Sequence, residues 1–70
     1  MTLNKVEAGS EYRLVACNAS AKMRSKLETM GLVPGERISV VSSTNAGLIV
    51  EVKSSRLAIA HDLAATLLVS

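Results

Sequence analysis

One histidine, His61, and one cysteine, Cys17, set the limits of the chemistry this chain can carry. A Cys-His nucleophile pair needs the two side chains within hydrogen-bond reach and a third group to orient the base. Cys17 falls in an apolar run near the start and His61 near the end, and nothing in the spacing brings them together. The simpler readings are a small buried hydrophobe for Cys17 and a surface residue at a strand-to-helix junction for His61. A structural zinc site asks for four Cys or His ligands, and a ferrous site for His and carboxylates in a compact set. One His, one Cys and six scattered acids supply neither, and His61 with Asp62 is too small a set. Gly9, Gly31, Gly35 and Gly47 stand singly, without a G-x-G pattern or a Walker lysine, so no phosphate loop is expected. The expectation is no catalytic residue, no cofactor-binding residue and no metal ligand.

The remaining polar chemistry is cationic. Eight Lys and Arg against six Asp and Glu leave a net charge of +2. Lys22, Arg24 and Lys26 form a local cluster. A nucleic-acid barrel would stack bases on aromatic platforms, and Tyr12 is the only aromatic residue here. The charge is also too mild for a dedicated basic stripe. The same shortage of aromatics argues against a groove for proline-rich peptides. Two readings of the cluster are left: a solvated helix face or a protein-docking patch.

The elements that position these residues follow from periodicity and turn chemistry. Glu11–Cys17 reads as a strand, with Tyr12, Leu14 and Ala16 alternating against Arg13, Val15 and Cys17. Both sets hold apolar residues, which predicts a strand covered on both sides. Ser20 is the favoured N-cap of a helix over Ala21–Met30, with an apolar stripe at Met23, Leu27 and Met30. Lys22 and Lys26 flank one edge of that stripe. Arg24 and Glu28 lie on the other side as an i,i+4 pair. Gly31 is placed to end the helix in a left-handed conformation, with Leu32 as its hydrophobic contact. Val33-Pro34-Gly35-Glu36 reads as a type II turn. Three strands follow: Arg37–Ser42, with Ile38 and Val40 inward; Leu48–Lys53, with Leu48, Val50 and Val52 inward; and Arg56–Ala60, with Leu57 and Ile59 inward. Ser43–Gly47 is a polar hairpin loop and Ser54-Ser55 a tight connection. His61–Ala65 fits one helical turn, with Asp62 favourable near its N-terminus. Thr66–Val69 closes as a last strand. About five short strands joined by short loops suggest a small antiparallel barrel, and closure would remove most exposed edges.

Seventy residues make one domain over 1–70. A chain this short buries only about 60% of the surface its unfolded form exposes. With 49% hydrophobic residues and no Phe or Trp, the core must be aliphatic. That content excludes disorder, and a lone cysteine excludes a disulfide scaffold. A deep catalytic cleft is hard to wall with so small a core. The opening stretch carries charges and no apolar run of signal-peptide type, and no run nears the roughly 20 apolar residues of a membrane helix. A soluble, reduced, cytoplasmic setting is the expectation. Met23, Met30, Val41 and Ile49 are more apolar surface than so small a barrel can hold, which favours weak self-association or docking.

Leu27-Glu-Thr-Met-Gly-Leu-Val-Pro-Gly35, followed by Ile38-Ser-Val40, strongly resembles the FeoA family of bacterial ferrous iron transport accessory proteins. The resemblance continues through Gly47–Val52, Ser55–Ile59, Leu63–Ala65 and Leu68-Val69, and back to Leu3 and Gly9–Val15. It implies a mainly β fold: an SH3-like β-barrel of about five short strands with one inserted α-helix after the first strand. It also implies a small cytosolic partner of FeoB, the membrane ferrous iron transporter with a GTPase domain, and an association with transition metal ions through that role. No enzyme activity is implied. The same barrel forms the C-terminal module of iron-dependent repressors similar to the diphtheria toxin repressor, and the absence of a preceding DNA-binding domain here favours a free-standing accessory. Many family members carry a longer, Pro-containing hairpin between the second and third strands, whereas Ser43–Gly47 is short and has no Pro.

The leading expectation is therefore a protein-interaction module on the cytosolic, GTPase-containing part of FeoB. Its candidate contacts are Lys22, Arg24 and Lys26, with Arg37 and Arg56 secondary. One alternative is a regulatory nucleic-acid-binding barrel, with salt-sensitive affinity. Another is a modulator of the transporter's GTP hydrolysis that supplies Arg24 or Arg56 in trans.

Overall fold

The computed structural model describes residues 1–70. A 3₁₀ turn at Leu3–Lys5 leads into β1 (Glu11–Cys17), α1 (Ala21–Thr29), β2 (Arg37–Thr44), β3 (Gly47–Val52), β4 (Ser55–Ile59), a short α2 (His61–Ala64) and β5 (Leu67–Val69). The five strands form one antiparallel sheet in the order β4-β3-β2-β1-β5. The expected closure is not made by hydrogen bonds, because β4 and β5 do not pair and each lies at an edge. The two edges are treated differently. Thr2 bridges Leu68, and the Val69 N–H donates to the Met1 carbonyl, so the first residues cover β5. The outer side of β4 has no strand beside it.

Alternation places the inner face. Leu14, Ile38, Val40, Leu48, Val50, Val52, Ile59, Leu67 and Val69 come from all five strands, and Leu3, Val6, Leu27, Leu32 and Ala64 fill in from the connecting segments. All fourteen join one cluster with no buried polar side chain.

The helix entry and exit are as the turn chemistry predicts. Ser20 Oγ accepts from the Met23 N–H at 3.2 Å. At the other end Gly31 has φ +92°, its N–H donates to Glu28, and the Leu32 N–H reaches back to Leu27. This is the paired 6→1 and 5→2 pattern of a Schellman ending, and Leu27 and Leu32 are both buried beside it. Gly35 at φ +93° and the Glu36 N–H on the Val33 carbonyl complete the type II turn.

Several expectations are corrected. β1 is not covered on both sides: Glu11, Arg13 and Val15 are exposed. Val15 sits where the register of β1 against β5 shifts between Leu14 and Ala16, and its side chain is 47% exposed. Val41 occupies the equivalent shift between β2 and β3 and is also exposed. The stripe on α1 narrows to buried Leu27 and half-buried Met23. Met30 leaves it because the helix ends at Thr29, so Met30 serves as the C-cap and faces solvent. The loop expected over Ser43–Gly47 shrinks to Asn45-Ala46, since β2 runs to Thr44 and β3 begins at Gly47. Thr44 Oγ1 accepts from the Ala46 N–H and supplies the local turn bond. The β3–β4 connection is Lys53-Ser54 rather than Ser54-Ser55, with both residues at positive φ (50° and 69°). That is the geometry of a type I′ hairpin turn without its usual Asn-Gly pair.

Candidate protein-docking surface

Each exposed cation belongs to a definite element. Lys22 and Lys26 lie on one side of α1 with Ser25 and Thr29. Arg24 lies on the opposite side with Glu28, facing β1. The structure thus divides the three helix cations between two surfaces, as a spacing of two residues at 100° each requires. Arg37 is on the outer face of β2 and Arg56 on edge strand β4.

Their partners differ as well. Arg37 pairs with Glu11 at 3.6 Å, Arg56 with Glu51 at 3.5 Å and Lys53 with Glu36 at 3.6 Å. Each of these cations is more than 60% exposed, so such pairs contribute about 0–1 kcal/mol. The expected Arg24–Glu28 pair is not formed, and Lys22, Arg24 and Lys26 have no ion-pair partner.

Arg13 joins this set from the structure alone. It lies directly opposite Arg37 in the β1–β2 register, an arrangement of like charges that disfavours pairing. Glu11 draws Arg37 aside, and Arg13 Nη1 donates to the Gly35 carbonyl at 2.8 Å. The Arg13 guanidinium forms no ion pair. No local spacing signals it, because β1 and β2 meet across the whole of α1 and the Pro34 turn.

Between α1 and β1 lies a cleft of about 490 Å³ lined by Val15, Cys17, Arg24, Glu28, Leu32 and Pro34, among others. Its wall combines an exposed apolar side chain with an unpaired arginine. Cys17 is half-buried and packs against the core. His61 is far along the chain and donates from Nε2 to the Thr44 carbonyl, fastening α2 to the β2–β3 hairpin. No group of three or more His, Cys, Asp or Glu is placed to hold a metal ion. No helix is long and apolar enough to cross a membrane.

A five-stranded antiparallel sheet with a helix inserted after β1 defines an SH3-like fold. The FeoA domain model matches residues 1–70, and the chain belongs to the FeoA family, an accessory domain of ferrous iron transport. The crystal structure of an iron uptake regulatory protein, FeoA, matches with a TM-score of 0.90 at 33% identity, covering 99% of this chain and 93% of that one. FeoA from Stenotrophomonas maltophilia, a procaryotic SH3 domain protein solved with zinc, matches with a TM-score of 0.87 at 22% identity over 100% of this chain and 89% of that one. IdeR from T. acidophilum matches with a TM-score of 0.88 at 21% identity, over 100% of this chain but 33% of its own. The last two share the fold with this chain. Comparison with curated proteins gave no match.

Proposed function

We propose that this protein is a cytoplasmic accessory of ferrous iron uptake that acts by docking on the cytosolic, GTPase-containing part of a FeoB-type transporter. Iron is then the transporter's cargo, and the accessory contributes binding rather than catalysis. The observation that carries this reading, beside the family, is that α1 presents Lys22, Arg24 and Lys26 to solvent without an acidic partner, whereas Arg37, Lys53 and Arg56 are each engaged. Unengaged cations guide encounter with an acidic surface more than they add affinity.

Titration calorimetry of the 70-residue protein against the FeoB cytosolic domain tests this, with no nucleotide, with GDP and with a non-hydrolysable GTP analogue. Binding in at least one state, weakening as salt rises, is the expected result. Absence of binding in all three states at low salt overturns it.

A further inference from the structure

The outer face of β1 carries Arg13 and Val15 two residues apart, about 7 Å along a strand, and Arg24 and Glu28 of α1 line the cleft at the Val15 end. Val15 is a large apolar side chain held in solvent at a register shift, a device by which strands re-aim a side chain. Leu32 and Pro34 stand beside it in the same cleft, placed there by the Schellman ending and the type II turn. Arg24 lines the cleft from the helix and forms no ion pair, whereas Arg13 lies outside its lining, two residues before Val15 on β1, with its guanidinium on the Gly35 carbonyl beside Pro34. The one acid on the cleft is Glu28, and it leaves Arg24 unpaired although it lies only one turn away. An arginine presents a planar fork of donors that matches a carboxylate, which a lysine does not. The cleft therefore offers a shallow apolar contact with carboxylate-matching donors at its margin.

We infer that the α1–β1 cleft is the seat of a short acidic segment carrying one apolar side chain. The apolar group rests on the exposed Val15 and Pro34, over the buried Leu32, one flanking carboxylate engages Arg24, and the other reaches Arg13 beyond the cleft. This deepens the docking proposal above by naming the chemistry of the docked segment, and it places recognition on the Arg24 side of the helix rather than on Lys22 and Lys26.

The probes are the capped peptide Glu-Ser-Leu-Ser-Glu, whose alternation puts both acids and the leucine on one face of an extended chain, its counterpart with Lys in place of Glu, and the FeoB cytosolic domain. Amide resonances of the full 70-residue chain are followed by NMR during each titration. The acidic peptide is expected to shift Val15, Arg24 and Leu32, and the basic one to shift none of them. Arg24→Glu should weaken acidic-peptide binding about tenfold. Glu28→Gln should tighten it about threefold by removing the opposing charge. Val15→Asp should weaken it, and because Val15 is exposed the variant keeps its fold. Peptide shifts centred on Lys22 and Lys26, or no shifts at all, overturn the inference. If the FeoB domain binds with an affinity that Arg24→Glu and Val15→Asp leave unchanged, the cleft assignment fails while the docking reading stands. If the peptide seats in the cleft and the FeoB domain does not bind in any nucleotide state, the docking reading fails and the cleft assignment stands.

Discussion

Two glycines with positive φ separate backbone conformation from space. Gly9 has φ +87° with open surroundings, whereas a Cβ on Gly47 would stand 2.7 Å from the Ile59 carbonyl oxygen. Gly9→Ala should cost about 1–2 kcal/mol, the penalty of a left-handed L-residue. Gly47→Ala should cost more, because the β3–β4 ladder must also move apart where Leu48 pairs with Ile59. Urea denaturation of both variants checks the order, and a smaller loss at Gly47 refutes it. Ser54 is the converse case, a side chain where glycine is favoured. At φ +69° in a two-residue hairpin turn, Ser54→Gly should raise stability by about 0.5–1 kcal/mol. Lys53 in the same turn keeps its contact with Glu36 and is better left in place. The residue scale is also where sequence reading missed most. The Lys53-Ser54 turn has no signature residues, so the connection reads one position too late. Arg13 becomes a site residue only through its partner Arg37, which lies across a helix and a turn.

The helix is the element most legible in the sequence and the least anchored in the fold. Its cap, its C-terminal glycine and the Pro34-Gly35 turn act over three to five residues, so local chemistry alone specifies them. Its attachment is not local: of nine helical residues only Leu27 is buried. A nine-residue helix is below the length that is stable by itself in water, so α1 persists through Leu27, the Ser20 cap and the Leu32 contact. Ser20→Ala should therefore cost about 1 kcal/mol and Leu27→Ala about 2–5 kcal/mol. Both losses should appear first as faster amide hydrogen exchange in α1, with β2 and β3 still protected. Uniform loss of protection across helix and sheet would show instead that α1 and the sheet open as one unit. Such weak anchorage suits a docking element, because the face that a partner covers is not already spent on the core. The strands divide along the same line. Inward positions follow a period of two and are readable, whereas the register shifts that expose Val15 and Val41 arise from pairing with β5 and β3 and leave no mark in the sequence.

One aliphatic cluster spans the whole molecule, and the first residues belong to it. Their sequence, with Asn4, Lys5 and Glu7 among apolar neighbours, reads as an unpatterned opening. In the fold, Leu3 is fully buried and Val6 nearly so, while Thr2 and Met1 cover the outer edge of β5. The N-terminal segment thus does for β5 what closure of the barrel would have done, and β4 keeps the open edge. A chain of this length has a total stability of about 3.5–10 kcal/mol at 0.05–0.15 kcal/mol per residue. Leu3→Ala removes a fully buried side chain and should cost about 2–5 kcal/mol, a large share of that total. Because the fourteen core residues form a single cluster with no second centre, the loss should lower one cooperative transition rather than create an intermediate. Circular dichroism and Tyr12 fluorescence should report the same midpoint in urea for the wild type and for Leu3→Ala, with the variant's midpoint lower and its slope unchanged. A small shift of under about 1 kcal/mol would mean that the opening residues are peripheral to the core. Midpoints that differ between the two probes would mean that the β5 edge opens separately, and that the N-terminal segment holds a local contact rather than the whole fold.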